Sequence, residues 1–402
     1  MNAPFIRTFA ICLTVFTFLA GLRAAEDEPS FSATETRRLN RRLLRLEPNR
    51  WEKIHTQQKT DKVQFLRQGH GGGCFDSKRG VVILFGSNTH GKDWKNSPFF
   101  FDPVENEWTQ AYPDDPFETY AVNEEGIPVA GKDGDRPWAM HTFGAVEYDP
   151  QRDEMIVSIF DDHMKPGRFT NVTAELWPKI KKRPTWVFQR GENKWTPLPC
   201  EGVSFFPCCT TFDTDRGVVV GYGLNGIWEL GGEPRRWTKT VEKPLVGWHN
   251  NAAYDSRHKA IIVFGTHQNG NDVIVYRPEN KEHKKMPTPG ERPPKDQHAP
   301  MAFEPEVGRT TVLVDRVKGE GKNAEGATET WLYDLGADAW TRIPTAELPF
   351  TCGMNYNLYY DCGHKVLLLV TGDYGRPTVV WALKLKLDAN AEPPKTENGG
   401  AQ

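Results

Sequence analysis

Between Trp51 and Leu387 one arrangement of apolar and polar positions recurs along the chain. An acidic residue in a turn is followed by an apolar run, a loop, an aromatic residue, six further positions and a tryptophan. The first copy runs from Phe75-Asp76 through Val81-Val82-Ile83-Leu84-Phe85-Gly86 to Phe101 and Trp108. The second has Tyr148-Asp149, the run Met155 to Phe160, Phe188 and Trp195. The third has Phe212-Asp213, Val218-Val219-Val220-Gly221, Leu230 and Trp237, and the fourth Tyr254-Asp255, Ile261 to Gly265, Tyr276 and His283. Phe303-Glu304, Thr311 to Val314, Tyr333 and Trp340 make the fifth. The sixth has Tyr360-Asp361, Val366 to Val370 and Thr378 to Leu383, but no closing tryptophan.

Each copy predicts four short antiparallel strands. Small residues (Gly71-Gly72-Gly73, Ala252-Ala253) suit a first strand lying innermost, where sheets converge on an axis. Uninterrupted aliphatic second strands suit burial on both faces between neighbouring sheets. The fixed aromatic-to-Trp spacing suits two strands joined by a tight turn, with both rings in one packing layer. Radially stacked four-stranded sheets form a β-propeller, and six copies predict an all-β, six-bladed one. The strand missing from the sixth copy is expected at the N-terminus, in Asn49-Arg50-Trp51-Glu52-Lys53-Ile54, which resembles Asn106-Glu107-Trp108 and Asn193-Lys194-Trp195. Pairing there would leave no large open edge.

The repeat resembles that of Kelch-repeat propellers, the group that includes the central domain of galactose oxidase, over about residues 49–387. The pair of glycines usual after the second strand is reduced to Gly86, Gly265 and Gly372. No residues match the copper-ligand set of galactose oxidase, and the aspartate boxes of sialidase propellers are absent, so neither activity transfers. Some exported Kelch propellers are similar to sialic-acid epimerases, and that likeness is one of fold only.

The flanks read differently. Arg7 followed by the apolar stretch Phe9 to Leu22, and Ala24-Ala25 before Glu26-Asp27-Glu28, predict a secretory signal over 1–24 and hence a secreted or periplasmic protein. The stretch is too short to span a bilayer, and no later segment approaches that length. Ser32-Ala33-Thr34-Glu35 reads as a capping box, with Leu39, Leu43 and Leu46 at helical spacing, so 25–48 is expected to be an amphipathic helical segment with an Arg-rich face. The tail from Asp388 to Gln402 lacks an apolar anchor and is expected to be disordered.

Composition narrows the classes. With 50 Lys+Arg against 53 Asp+Glu, the net charge of −3 argues against a nucleic-acid binder. Outside the signal there are six cysteines, too few for a disulfide scaffold in a chain this long, and none form a CxxC pair. Cys352 with Cys362, and Cys200 with Cys208 or Cys209, are the local disulfide candidates, with buried thiols the alternative. A monomer without cofactor is the expectation. Asn171-Val172-Thr173 is a glycosylation sequon that matters only in a eukaryotic secretory pathway.

In an antiparallel blade the start of the first strand and the end of the second lie at the same end of the ring. His70, Phe143, Pro207, His249, His298 and Asn355 stand at the starts of first strands. Beyond the second strands come His90, Asp161-Asp162-His163, His267, Asp315-Arg316 and Asp373-Tyr374, while His141 precedes Phe143. Seven of the eleven histidines (70, 90, 141, 163, 249, 267 and 298) thus map to one face, with Trp138 and Trp248 as stacking surfaces. The long insertions 109–137, 161–184 and 316–327 belong partly to that face. A metal on the equivalent slots His70, His249 and His298 is disfavoured, because the first and fourth blades oppose each other across the ring. The candidate ligand-binding set is therefore His70, His141, Asp161, Asp162, His163, Trp248, His249, His267, His298, Asp315, Arg316, Asn355, Asp373 and Tyr374. Aromatic platforms beside His, Asp and Asn suit a carbohydrate, whose apolar faces stack and whose hydroxyls need oriented partners. The expected function is a binding module for carbohydrate or a protein partner. The alternative is a carbohydrate-active enzyme of epimerase or lyase type, with His249 or His298 as acid/base and Asp161, Asp315 or Asp373 as partner.

Overall fold

The structure is a computed structural model describing residues 38–59, 61–63, 70–91, 94–245, 247–265, 270–296, 299–318, 325–352, 357–372 and 377–387. The expected signal sequence and tail lie outside these residues, as do His267, His298, Asn355, Asp373 and Tyr374.

The repeat folds as its pattern dictates. The centre of each second strand is aliphatic and buried: Val81–Phe85 is buried throughout, and Ile261, Ile262, Val263 and Phe264 are fully so. Each third-strand residue of the fixed spacing lies directly opposite its fourth-strand partner. Phe101 pairs with Trp108, Phe188 with Trp195, Leu230 with Trp237, Tyr276 with His283 and Tyr333 with Trp340. Opposed side chains on one face of a hairpin are in contact, and large rings there fill the space between sheets.

Among the described residues the result is an all-β propeller architecture of antiparallel sheets, six of them four-stranded. Sheets 1 to 6, numbered by chain order, begin with the first strands Gly72–Asp76, Val146–Asp149, Cys209–Asp213, Asn251–Asp255, Met301–Glu304 and Asn357–Asp361. These first strands touch in sequence, and the sixth touches the first. The fourth strand of sheet 6 is Glu52–Thr56, which pairs antiparallel with Val379–Leu383 through Glu52↔Ala382 and Thr56↔Val379. It starts three residues later than the pattern implied, with Trp51 just ahead of it and packed among Leu369, Leu383 and Leu332.

Three expectations need correction. A seventh sheet of three short strands, Ala121–Val122, Pro128–Ala130 and Arg136–Pro137, occupies the 109–137 insertion. Trp138 belongs to its anchorage rather than to a stacking surface: the ring is buried and its indole N–H donates to the carbonyls of Val129 (2.8 Å) and Ala121 (3.0 Å). Among the described residues of 25–48 the helix is a single turn, Arg41–Leu44, capped by the Asn40 side chain, which accepts from the Arg42 N–H at 2.9 Å. Ser32 lies outside the described residues, and residues 38–40 are not helical. Finally, no disulfide joins any of Cys74, Cys200, Cys208, Cys209, Cys352 and Cys362. Cys74, Cys208, Cys209 and Cys352 are instead buried core residues.

The turn after each first strand shows why aspartate recurs there. One oxygen of Asp76, Asp149, Asp213 and Asp361 accepts the next N–H groups but one, for example Gln151 (2.8 Å) and Arg152 (3.1 Å) on Asp149. The other oxygen of these four takes a basic side chain three residues on, Arg79, Arg152, Arg216 or His364, as one oxygen of Asp255 takes His258. The next residue closes the turn at positive φ in every copy: Gly80, Asp153, Gly217, Lys259, Gly308 and Lys365.

Candidate functional site

At the opposite ends of these strands the chain enters sheets 1, 2 and 4 through a left-handed residue. His70 has φ 69°, Phe143 φ 46° and His249 φ 64°. Backbone bonds link the entry points, Phe143 N–H to the His70 carbonyl (2.9 Å) and His249 N–H to that of Pro207 (3.1 Å). Holding a non-glycine residue in this region costs energy and needs surrounding contacts to fix it. Here those contacts are rings, with Phe143 5.3 Å from His70 and 5.7 Å from His249 between centroids.

The loops of sheets 1 and 2 bring four imidazoles together. His90 lies on the 3-10 turn Thr89–Gly91 after the second strand of sheet 1, and His163 on the turn Asp162–Met164 after that of sheet 2. His141 sits on the segment leading into sheet 2. Ring centroids are 4.0 Å apart for His90 and His163, 4.4 Å for His141 and His163, and 4.7 Å for His90 and His141. One ring nitrogen from each of these three can be chosen so that all lie within 4.8 Å of one another. His70 stacks on His141 at 4.2 Å with 19° between planes. Phe169, about half exposed at 49%, covers His90 at 4.5 Å and His163 at 5.3 Å.

Asp161 organises the cluster. One of its oxygens accepts the His163 N–H (2.9 Å) and meets His163 Nδ1 (2.7 Å). The other accepts the His141 N–H (2.9 Å) and the Thr89 hydroxyl (2.7 Å), the residue beside His90. An ionised carboxylate only accepts, so His163 donates to it from Nδ1, leaving Nε2 as the ring nitrogen turned away from Asp161. Burial would raise the Asp161 pKa, but the hydrogen bond and charge of His163, with the other donors, hold it below the ordinary value. His90 is also lowered, first by burial and then by the positive charges of His163 and Arg168, against the pull of Asp161. Neutral imidazoles in this arrangement can accept from hydroxyls, take up a proton or donate a lone pair to a cation.

The other candidates fall elsewhere. Asp162 turns outward to Arg183 at 3.0 Å. Trp248 is 52% exposed, and the His249 ring lies against Phe143, which adjoins the cluster. Asp315 works within sheet 5, accepting from the Thr328 hydroxyl and the Cys352 N–H, both at 2.7 Å. Arg316 is engaged by Glu329 and Glu347, each at 2.8 Å. The trio of His90, His141 and His163 differs from the His70, His249 and His298 slots that repeat position suggested. Its sequence signal was the matching place of His90 and His163 after the second strands of adjacent sheets. The axial channel, about 360 Å³, is lined by Cys74, Glu147, Cys209, Asn251 and Tyr359 and reaches the Asp-turn end at Ser77 and Pro150. Glu147 faces it with a carboxyl pushed well above its ordinary pKa by the enclosing walls.

No protein-family model matches the chain, and no curated protein does. Solved structures do, 405 chains in number. One, described as "Structure of YjhT", aligns with 84% of this chain and 98% of its own at 12% identity, with a TM-score of 0.49. Among the described residues no helix is long and apolar enough to cross a membrane.

Proposed function

We propose that the chain is an exported, Kelch-like propeller of six blades that binds a small polar ligand at the histidine face between sheets 1 and 2. Sheets 1 to 6 are the blades, the three-stranded sheet is an insertion, and Glu52–Thr56 closes the ring by pairing with the last blade. The cyclic contact of the first strands supports this count. Export rests on the sequence of residues 1–24. The observation that carries the binding role is the convergence of four imidazoles, one carboxylate and the Phe169 ring on loops of one end. Loops held by a rigid sheet scaffold are where binding groups concentrate. A carbohydrate, uronic acids included, fits stacking rings beside imidazole acceptors.

A thermal-shift screen of the chain from Glu26 onward against neutral saccharides and uronic acids tests the reading. A ligand at 100 times its Kd adds about 2.7 kcal/mol of stability. A raised midpoint that is lost in His70→Ala supports the site. A midpoint unmoved by every saccharide, or moved equally in the variant, contradicts it. The Asp161–His163 pair favours a second reading, an epimerase or lyase type of enzyme, because a carboxylate-held imidazole is oriented for general base work. Turnover of the bound sugar that disappears in His163→Ala would select that reading.

A further inference from the structure

We propose that His90, His141 and His163 hold one divalent cation of the zinc class, with Asp161 as the outer carboxylate that positions them. This deepens the reading of the histidine face as a binding site and rests on it. Three imidazoles arrive from three separate segments with one nitrogen each inside a 4.8 Å set. Nitrogens on one tetrahedral ion stand about 3.4 Å apart, for bonds of about 2.1 Å, so the nitrogens close in by up to about 1.4 Å on binding. His90, on a short turn and only half-buried, is the ring with freedom to move.

The donor set decides the class of ion. Calcium and magnesium take six or more oxygens, whereas nitrogen donors without a carboxylate ligand suit zinc, cobalt, nickel or copper. Ligating histidines characteristically give their second ring nitrogen to a carboxylate, which fixes tautomer and ring orientation. Asp161 does this for His163, and the same carboxylate grips the His141 N–H and the Thr89 hydroxyl beside His90. One buried side chain thus ties together all three ligand-bearing segments. A cluster kept only for packing has no need of that. Three protein ligands leave a fourth position for water or an oxygen of the bound ligand.

The test is titration of chelator-treated protein with Co2+, read by visible ligand-field absorption, followed by displacement with Zn2+. One ion per chain is expected, with a spectrum of low coordination number that Zn2+ abolishes. His90→Gln, at a half-buried position, lowers affinity at least 100-fold, and His141→Ala and His163→Ala do the same. Asp161→Asn keeps the shape and lowers affinity 10- to 100-fold, as loss of an outer-shell partner does. Circular dichroism confirms that each variant folds. Absence of any spectrum, or an affinity unchanged in His90→Gln, overturns the proposal. A metal-free protein that still takes a saccharide in a His70-dependent way removes the cation and leaves the binding face standing.

Discussion

Glu304 stands where the other five sheets carry aspartate, and it shows what that aspartate does. Its side chain is buried at the end of the first strand of sheet 5, with Oε2 lacking a hydrogen-bond partner. Position 307 is valine, so the basic partner of the other turns is missing too. Burial, with a smaller push from Glu306, raises its pKa from 4.5 to about 8. Between those values the unfolded chain has released a proton that the folded chain keeps, so stability falls as pH rises through this window. Glu304→Gln removes that dependence. Its stability should match the parent near pH 4 and exceed it by about 2–4 kcal/mol at pH 8.5, measured by denaturant unfolding at both pH values. A parallel pH dependence in the two proteins would show that Glu304 ionises in the fold without penalty.

Elements communicate through tryptophans in, or just ahead of, the fourth strands. Trp195 donates its indole N–H to the Tyr112 hydroxyl (2.7 Å), Trp237 to the Thr185 hydroxyl (2.8 Å) and Trp51 to the Thr330 hydroxyl (3.0 Å). Thr185 precedes the third strand of sheet 2 and Thr330 lies in that of sheet 5, so these bonds run from one sheet to its predecessor. Trp237→Phe loses the bond and keeps much of the packing, at a cost of about 1 kcal/mol, whereas Trp237→Ala costs about 3–5 kcal/mol. Equal losses in the two variants, by thermal unfolding, would assign the tryptophan's worth to the bond alone. The packing role of these rings was legible in sequence, because the fixed spacing puts Phe101 opposite Trp108 and repeats four times. The hydrogen bonds were not, since Thr185 and Thr330 occupy no fixed place in the repeat. The same division holds at the site. Repeat position assigns His70, His90, His141, His163 and His249 to one end, but convergence depends on the paths of loops 86–91 and 138–145. Asp161 was legible as a polar neighbour and not as the clasp, because its four partners come from three segments.

At the scale of the molecule, the proposed closure rests on residues far apart in the chain. Asn40 donates its N–H to His364 Nε2 (2.9 Å) in sheet 6 and its side-chain amide to the Pro103 carbonyl (2.8 Å) in sheet 1. Leu43 and Leu46 pack with Val82, Phe101 and Val370 from the same two sheets. Removing residues 1–37 should leave cooperative unfolding intact, whereas removing 1–56 strips Trp51 and the Glu52–Thr56 strand. That exposes the edge of Val379–Leu383 and should give an aggregating protein without a sharp transition, seen by calorimetry and size-exclusion chromatography. Two equally cooperative truncations would refute closure by the N-terminal strand. The most direct test of the whole account is anomalous diffraction from crystals grown with Co2+, recorded at the cobalt edge. The prediction is six four-stranded blades and one strong peak per chain, about 2.1 Å from nitrogens of His90, His141 and His163. A map without density among these three rings, in crystals that carry cobalt elsewhere on the surface, would contradict it.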